Sequence, residues 1–171
     1  MDRQARFEEL YRAHAGAVRA YAIRRVQSNT LADDIVSDVF LVVWRRLDDV
    51  PDRPVPWLLS VARRALANRR RSERRAAALS DRLANVRRPV DASPETGDRL
   101  LDALASLPEP DRELLMLVAW EGLESSEIAE LLGVRPGTVA VRLHRARRRL
   151  AAALARQGSM FTRPQEALHD R

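Results

Sequence analysis

Apolar residues recur at intervals of three and four along most of this chain, and that spacing constrains the fold more than any other feature. It is the spacing of amphipathic α-helices, whereas half-buried strands would alternate apolar and polar residues, which this chain does not do. The predicted helices span residues 6–26, 30–47, 56 or 57–78, 98–107, 111–121, 125 or 126–132 and 136–155. We therefore expect an all-α protein.

The periodicity is lost between the third and fourth predicted helices. Residues 79–97 read LSDRLANVRRPVDASPETG and gather proline, serine, aspartate and glycine, as flexible linkers do. We expect two small helical domains, residues 1–78 and 98–156, joined by this linker. A tail, residues 157–171, shows no clear pattern.

Residues 125–150, SSEIAELLGVRPGTVAVRLHRARRRL, contain the strongest local signal. Ser125 or Ser126 can cap a short helix, Gly133 permits a left-handed turn, and Pro136 can open the next helix where its missing amide is harmless. These features predict a helix-turn-helix. At about 100° per residue, its second helix has one inward stripe and one outward face. The predicted stripe is Val139, Leu143, Ala146 and Leu150, and the predicted outward face is Val141, His144, Arg145 and Arg148.

The charge of the chain is segregated. The chain has thirty basic residues, all of them arginine, and 24 acidic residues, which gives a net charge of +6. A GC-rich genome would also favour arginine over lysine, so the distribution tells more than the total. Residues 135–156 hold seven arginines and no acid, whereas residues 109–130 hold seven acids and one arginine. A helix with such a face suits the major groove of DNA, although a solvated arginine face on a plain helical hairpin is the alternative.

The second predicted helix has a good N-cap in Thr30, with Asp33 and Asp34 in its first turn. One side of it carries Asp34, Asp38, Leu41 and Arg45, which is either a contact surface or a solvated face with local ion pairs. Prolines 51, 54 and 56 follow, and they predict a short, stiff loop over residues 48–56.

Two domains of the chain resemble one family in the right order. Residues 125–150, preceded by LDALASLPEPDRELLMLVAWEGLE, resemble the promoter-reading C-terminal domain of bacterial sigma factors, a pattern that response-regulator output domains share. The segments FEELYRAHAGAVRAYAIRRV, ADDIVSDVFLVVWRRLDDV and PWLLSVARRALANRRRSERR resemble the N-terminal domain of extracytoplasmic-function sigma factors. The resemblance covers roughly residues 5–155.

The resemblance implies that the chain binds core RNA polymerase and directs promoter-specific initiation. The second helix would dock on the clamp helices of the beta-prime subunit, and the C-terminal domain would touch the beta flap. The implied polymerase-binding residues are Asp34, Asp38, Leu41, Trp44 and Arg45. Members of the family are commonly inhibited by an anti-sigma factor, so we expect such a partner.

In the family, the loop before the third helix receives a base flipped out of the minus-10 element. The residues implied here are Asp52, Arg53, Trp57, Arg63, Arg64, Asn68 and Arg71. Family members commonly carry asparagine where this chain has Arg64, which puts the usual minus-10 preference in doubt. Trp57 resembles an aromatic residue found where DNA melting begins, and a core role fits it equally well.

The helix-turn-helix would read the minus-35 element. The implied residues are Arg135, Thr138, Ala140, Val141, His144, Arg145 and Arg148. Many relatives place arginine or serine at positions 140 and 141, whereas alanine and valine can only meet thymine methyl groups. Recognition should therefore depend on His144, Arg145 and DNA shape.

Other classes of function find little support. The chain has no cysteine, no phosphate-cradling glycine loop and no histidine pair at metal spacing, so we expect neither an enzyme nor a cofactor. Asp34 and Asp38 could hold a divalent metal only with a third ligand, which is not apparent.

A stand-alone helix-turn-helix regulator of duplex DNA is the main alternative, but it leaves the N-terminal half unexplained. An RNA-binding module would need exposed aromatic platforms. With neither a signal peptide nor a membrane span, a cytoplasmic protein is expected.

Overall fold

The computed structural model of the chain describes residues 2–26, 28–80 and 99–160, with the side chains of residues 77–80 and 158–160 left aside. The described helices are α1 (Arg3–Val26), α2 (Asn29–Arg45), α3 (Pro54–Ser80), α4 (Arg99–Ala105), α5 (Glu109–Ala119), α6 (Ser125–Leu132) and α7 (Pro136–Met160). A short 3-10 helix, Leu47–Asp49, follows α2. Over these ranges there is no strand, and the predicted all-α fold is confirmed. No helix in the described part is long and apolar enough to cross a membrane.

The first of two compact units contains α1, α2 and α3. Each helix turns its apolar stripe toward the other two, because that is where the three-and-four periodicity is removed from water. The buried residues include Val18, Tyr21 and Ala22 of α1, Ile35, Val39 and Val43 of α2, and Leu58, Leu59 and Ala62 of α3.

The start of α2 differs from the sequence prediction. Its N-cap is Ser28, whose hydroxyl oxygen accepts a hydrogen bond from the Leu31 amide, so the prediction of Thr30 as the cap is wrong. The first turn of α2 consequently contains no acidic residue. Asp33 and Asp34 instead bind arginines of the neighbouring helices: Asp33 lies 2.7 Å from Arg19.

The connection from α2 to α3 lies earlier in the chain than predicted, because α2 ends at Arg45 and not at Leu47. Helix α3 begins at Pro54, so two of the three prolines lie in its first turn, where a missing amide costs nothing. The connection is Arg46, the 3-10 helix and residues 50–53. It is anchored by the buried side chains of Leu47 and Val50, which are 1% and 4% exposed. Burial at these anchors, more than proline alone, fixes its conformation.

The second compact unit contains α4, α5, α7 and most of α6. Its core is a cluster of Leu104, Leu107, Leu115, Leu143 and Ala146, with Val118 and Leu150 packed against it. Trp120 caps the carboxyl end of α5 and is 42% exposed. The predicted linker lies outside the described residues apart from its first two positions, which continue α3, and so does the tail from residue 161 onward.

Candidate nucleic-acid interfaces

The turn between α6 and α7 has the geometry that the sequence predicted. Gly133 adopts φ +67°, a left-handed conformation that glycine accepts without strain. The amide of Gly133 donates to the carbonyl of Glu130 (3.2 Å), and the amide of Val134 donates to that of Ala129 (2.9 Å). This pair of bonds is a Schellman motif, which ends α6 and directs the chain into α7. Pro136 begins α7, as predicted.

At the start of α6, the prediction of Ser125 or Ser126 as the cap is wrong. Ser125 is already helical, so the residue before it, Glu124, occupies the cap position. The Glu124 amide donates to the Glu127 carboxylate at 2.9 Å, the return half of a capping box. The acceptor for the Glu124 amide is therefore the carboxylate of the third helical residue.

Helix α7 presents one buried and one exposed face, in the predicted phase. Val139 and Ala146 are fully buried, Leu143 is 7% exposed, and Leu150 is packed against the same core. Of the predicted minus-35 residues, Thr138 is half-buried, and the others are exposed: Arg135, Ala140, Val141, His144, Arg145 and Arg148. The structure therefore brings these seven residues to the turn and the outer face of α7.

Arg149 differs from its neighbours on α7. Its Nη1 donates to Oδ2 of Asp111 on α5, and Asp111 is the one charged residue that is buried in the described part of the chain. Arg145 and Arg148 make no ion pair within the same described residues. Arg149 is thus engaged inside its own unit, whereas Arg145 and Arg148 are available to an anion. No local pattern in the sequence indicated this distinction, because Asp111 is 38 residues away.

The outer face of α3 carries most of the predicted minus-10 residues. Arg63, Arg64, Asn68 and Arg71 are all exposed. Arg64, Asn68 and Arg71 follow one another at the spacing of a single helical stripe. Arg71 Nη2 donates to the Asn68 side-chain oxygen, so these two groups form one polar unit.

Three further predicted minus-10 residues lie where α3 begins. Asp52 and Arg53 are exposed in the connection that Leu47 and Val50 anchor. Trp57 lies in the first turn of α3 and is half-buried, so its ring is neither a core residue nor fully accessible. The predicted minus-10 residues therefore all lie on α3 or on the connection that precedes it.

The outer face of α2 carries the predicted polymerase-binding residues. Asp38 and Arg45 are exposed, and Leu41 and Trp44 are 54% and 43% exposed despite being large and apolar. Asp34 is partly engaged already, since its carboxylate lies 3.0 Å from the Arg69 guanidinium of α3.

Trp44 belongs to an aromatic cluster that joins α2 to α1, formed by Phe7, Tyr11, Phe40 and Trp44. The ring of Phe7 lies 5.2 Å from that of Trp44, and the ring of Tyr11 lies 4.7 Å from that of Phe40, both edge to face. The three-and-four spacing of Phe7, Leu10, Tyr11 and Val18 along α1 predicts an inward-facing Tyr11. It is 47% exposed, so the apolar surface of Leu41 and Trp44 extends onto α1.

A metal site finds no support over the described ranges, where no group of three or more histidine, aspartate or glutamate side chains is arranged to hold an ion. The pair Asp34 and Asp38 gains no third ligand there, and Asp34 binds Arg69 instead.

Comparison with known proteins divides the chain at the same place as the fold. Residues 10–76 match the family described as Sigma-70 region 2, and residues 97–150 match Sigma-70, region 4. The first match covers α2 and most of α1 and α3, and the second covers α4, α5, α6 and more than half of α7.

Individual relatives match over nearly their full length. The chain is 33% identical over 158 residues to the RNA polymerase sigma factor CarQ of Myxococcus xanthus, which covers 88% of this chain and 90% of CarQ. It is 33% identical over 165 residues to the ECF RNA polymerase sigma factor SigL of Mycobacterium tuberculosis, covering 87% and 89%. Among solved structures, the sigma factor RpoE of Bartonella quintana, in complex with the anti-sigma factor NepR, has the same fold. Its TM-score is 0.67 at 24% identity, over 87% of this chain and 96% of that one.

Proposed function

Because this chain belongs to the extracytoplasmic-function sigma factors of RNA polymerase, we propose that it reads its promoters through the exposed faces of α7 and α3 and binds polymerase through the outer face of α2. As a member of that family it is a transcription initiation factor, which binds core RNA polymerase and directs initiation at specific promoters. The single observation that carries the residue assignment is the segregation of each helix into a buried stripe and an exposed polar face.

We propose that α7 lies in the major groove of the minus-35 element. Exposed Ala140 and Val141 offer apolar contacts to thymine methyl groups, whereas His144 and Arg145 supply hydrogen-bond donors. Arg135 and Arg148 contact phosphates, which positions the helix but carries no sequence information. Because several arginines neutralise phosphates, binding should weaken steeply with salt.

The minus-10 element is proposed to bind along α3 and the connection before it. Arg63, Arg64 and Arg71 face the backbone and edges of the exposed strand, and the Asn68 amide adds hydrogen bonds. Asp52, Arg53 and Trp57 border the position where an unpaired base would be captured. Extruding a base costs stacking energy, so a connection anchored by buried Leu47 and Val50 favours capture.

The proposed polymerase-binding surface consists of Asp34, Asp38, Leu41, Trp44 and Arg45. Large apolar side chains at 54% and 43% exposure favour an interface over a solvated face. Tyr11 extends that apolar surface across α1, and we add it to the proposal. The beta-prime clamp helices are the proposed partner, with the beta flap touching the C-terminal unit.

We further propose an anti-sigma factor as a regulatory partner and the cytoplasm as the site of action. The first proposal is supported by the fold that the chain shares with RpoE, which was solved together with its anti-sigma factor. The second is supported by binding to core RNA polymerase, which is the partner of this family. The role of an initiation factor requires neither catalysis by the chain nor a cofactor.

Multi-round transcription on native genomic fragments tests the proposal. Purified core polymerase is assayed with and without the chain, and we expect discrete transcripts only when the chain is added. Their start sites then give the two promoter elements. If core polymerase stays silent while the chain alone shifts duplex promoter DNA, the chain acts as a stand-alone regulator and the proposal fails.

A further inference from the structure

Two arginines at the amino end of α1 reach across to the connection between α2 and α3. Arg3 Nη2 donates to the Trp44 carbonyl at 2.7 Å, and Arg3 Nη1 lies 3.3 Å from Oδ2 of Asp48. Arg6 Nη2 donates to the Val50 carbonyl at 3.3 Å. We call Arg3 and Arg6 the amino-terminal clasp. More than 40 residues separate each arginine from its partners, so these contacts bind one end of the chain's first helix to a distant turn.

The clasp holds backbone on both sides of the 3-10 helix. The Trp44 carbonyl belongs to the last turn of α2, where carbonyl groups have no partner within the helix, and a cation there is favourable. The Val50 carbonyl directly precedes Pro51 and the exposed Asp52 and Arg53. Arg3 and Arg6 therefore fix the entry to and exit from the turn that leads to the proposed base-capture residues.

The clasp contacts differ in strength. Asp48 is 84% exposed in its side chain, and exposed ion pairs contribute little. Hydrogen bonds donated by a charged group to a carbonyl are stronger, and the Arg6 contact is partly buried. The Arg3 guanidinium also lies 5.6 Å from the centre of the Trp44 ring. The backbone contacts, more than the Arg3–Asp48 pair, hold the turn.

We infer that Arg3 and Arg6 are positioning residues for capture of the minus-10 strand, acting through the carbonyls of Trp44 and Val50. This inference rests on the proposed function, since it requires the connection before α3 to contact the strand. Neither arginine need touch DNA. The clasp also joins that connection to the polymerase-binding surface, because Arg3 contacts the carbonyl and the ring of Trp44.

The test uses holoenzyme assembled from core polymerase and the full chain, with a fluorescent single-stranded oligonucleotide carrying the minus-10 sequence mapped by transcription. We expect Arg3→Ala/Arg6→Ala to weaken oligonucleotide binding about fivefold to tenfold. Arg6→Ala, which leaves the contacts of Arg3 with Trp44 intact, should weaken oligonucleotide binding severalfold while the affinity for core polymerase changes less than twofold. Asp48→Ala should have little effect, and Arg6→Lys, which keeps a charged donor, should restore part of the binding. The matched control is Arg12→Ala, since Arg12 is an exposed arginine of the same helix, 4.0 Å from Glu8.

Two results of the double variant overturn the inference. Unchanged strand binding in the double variant overturns the inference, and so does an equal loss of strand binding and core binding with a lowered melting temperature, which would indicate only a structural role. If the double variant does not fold, the comparison of Arg6→Ala with Arg6→Lys decides by the same criteria.

Arg64→Ala/Asn68→Ala tests the proposed function itself: if it has no effect on strand binding, the minus-10 assignment and the inference both fail. If it weakens binding and the clasp variants do not, only the inference fails.

Discussion

Individual arginines of α7 have different roles although they are close in sequence. Arg149 is engaged with buried Asp111, whereas Arg145 and Arg148 face outward. A carboxylate removed from water needs a partner, so Arg149 stabilises the unit whether or not DNA is present. An exposed arginine without a partner contributes little to folding and is available to phosphate or base edges.

The first prediction concerns stability. Arg149→Ala leaves the Asp111 carboxylate without its partner and should lower the free energy of unfolding of the C-terminal unit by about 1 to 2 kcal/mol, less than for a fully buried pair because Arg149 is half exposed. Urea unfolding of the full chain measures this change. Arg147→Ala, at an exposed position of the same helix, should change stability by less than about 0.5 kcal/mol. Equal losses from both would contradict the pairing.

The second prediction concerns recognition. Arg145→Ala should weaken minus-35-dependent binding by about 1 to 3 kcal/mol because it removes a contact in the half of α7 that enters the groove. Arg156 lies about three turns further along the helix, so Arg156→Ala should change minus-35-dependent binding little. Holoenzyme binding to duplex promoter, with and without an intact minus-35 element, gives both values. If the two substitutions have equal effects, the proposed docking of α7 is wrong.

At the scale of elements, the outer face of α2 combines exposed apolar side chains with charge. Leu41 makes little contribution to the core at 54% exposure, yet it lies beside Trp44 and the aromatic cluster that joins α2 to α1. An apolar residue in that position favours binding of a partner, because only a partner removes it from water.

The third prediction follows from this exposure. Leu41→Glu should weaken binding to core polymerase about tenfold or more, which corresponds to burial of one large apolar side chain. The free energy of unfolding of the Leu41→Glu variant should differ from that of the unsubstituted chain by less than about 0.5 kcal/mol. Ala17→Glu is the matched control, since Ala17 is also exposed but lies on α1. Titration of labelled core polymerase measures the affinities, and a normal affinity for Leu41→Glu would exclude Leu41 from the interface.

Local patterns in the sequence predicted the helices and their phases, because periodicity and the turn at Gly133 and Pro136 are local properties. The caps were predicted less well. Ser28 and Thr30 are both good caps, and only packing of the helix decides which one is used.

Contacts between distant residues gave no signal in the sequence. The Asp34 pair with Arg69, the Asp111 pair with Arg149 and the clasp at Arg3 each join residues more than 30 positions apart. Tertiary packing creates these contacts, so the predicted site residues could be assigned to faces but not to partners. The prediction of Tyr11 as inward failed for a related reason, since a ring at the border of a stripe can pack edge to face and stay half exposed.

At the scale of the molecule, the two units are joined by a sequence rich in proline, serine, aspartate and glycine, residues 79–97. A tether of this kind converts the second of two binding events into an intramolecular one, with an effective concentration of roughly millimolar. Under the proposed function, each unit can therefore bind its promoter element weakly while the pair binds tightly. Polymerase would set the distance between the two elements.

The fourth prediction tests the tether. A protease site placed at residues 88–92 should leave transcription unchanged until it is cut, and cutting should then reduce promoter-specific transcription at least tenfold because the effective concentration is lost. Replacing residues 81–97 with a glycine and serine segment of equal length is the control, and we expect it to keep most of the activity. Full activity after complete cleavage would show that covalent linkage is not needed.

The positions of the three tryptophans give the molecule a set of built-in optical reporters. Trp44 lies on the proposed polymerase-binding surface, Trp57 at the start of α3, and Trp120 at the end of α5. All three are only partly shielded from water. A partner that covers one of them therefore changes the emission wavelength and the intensity of its fluorescence. With two replaced by phenylalanine, the third reports on its own surface, and the order in which polymerase and promoter strand engage becomes a matter of timing three signals in a stopped-flow cell.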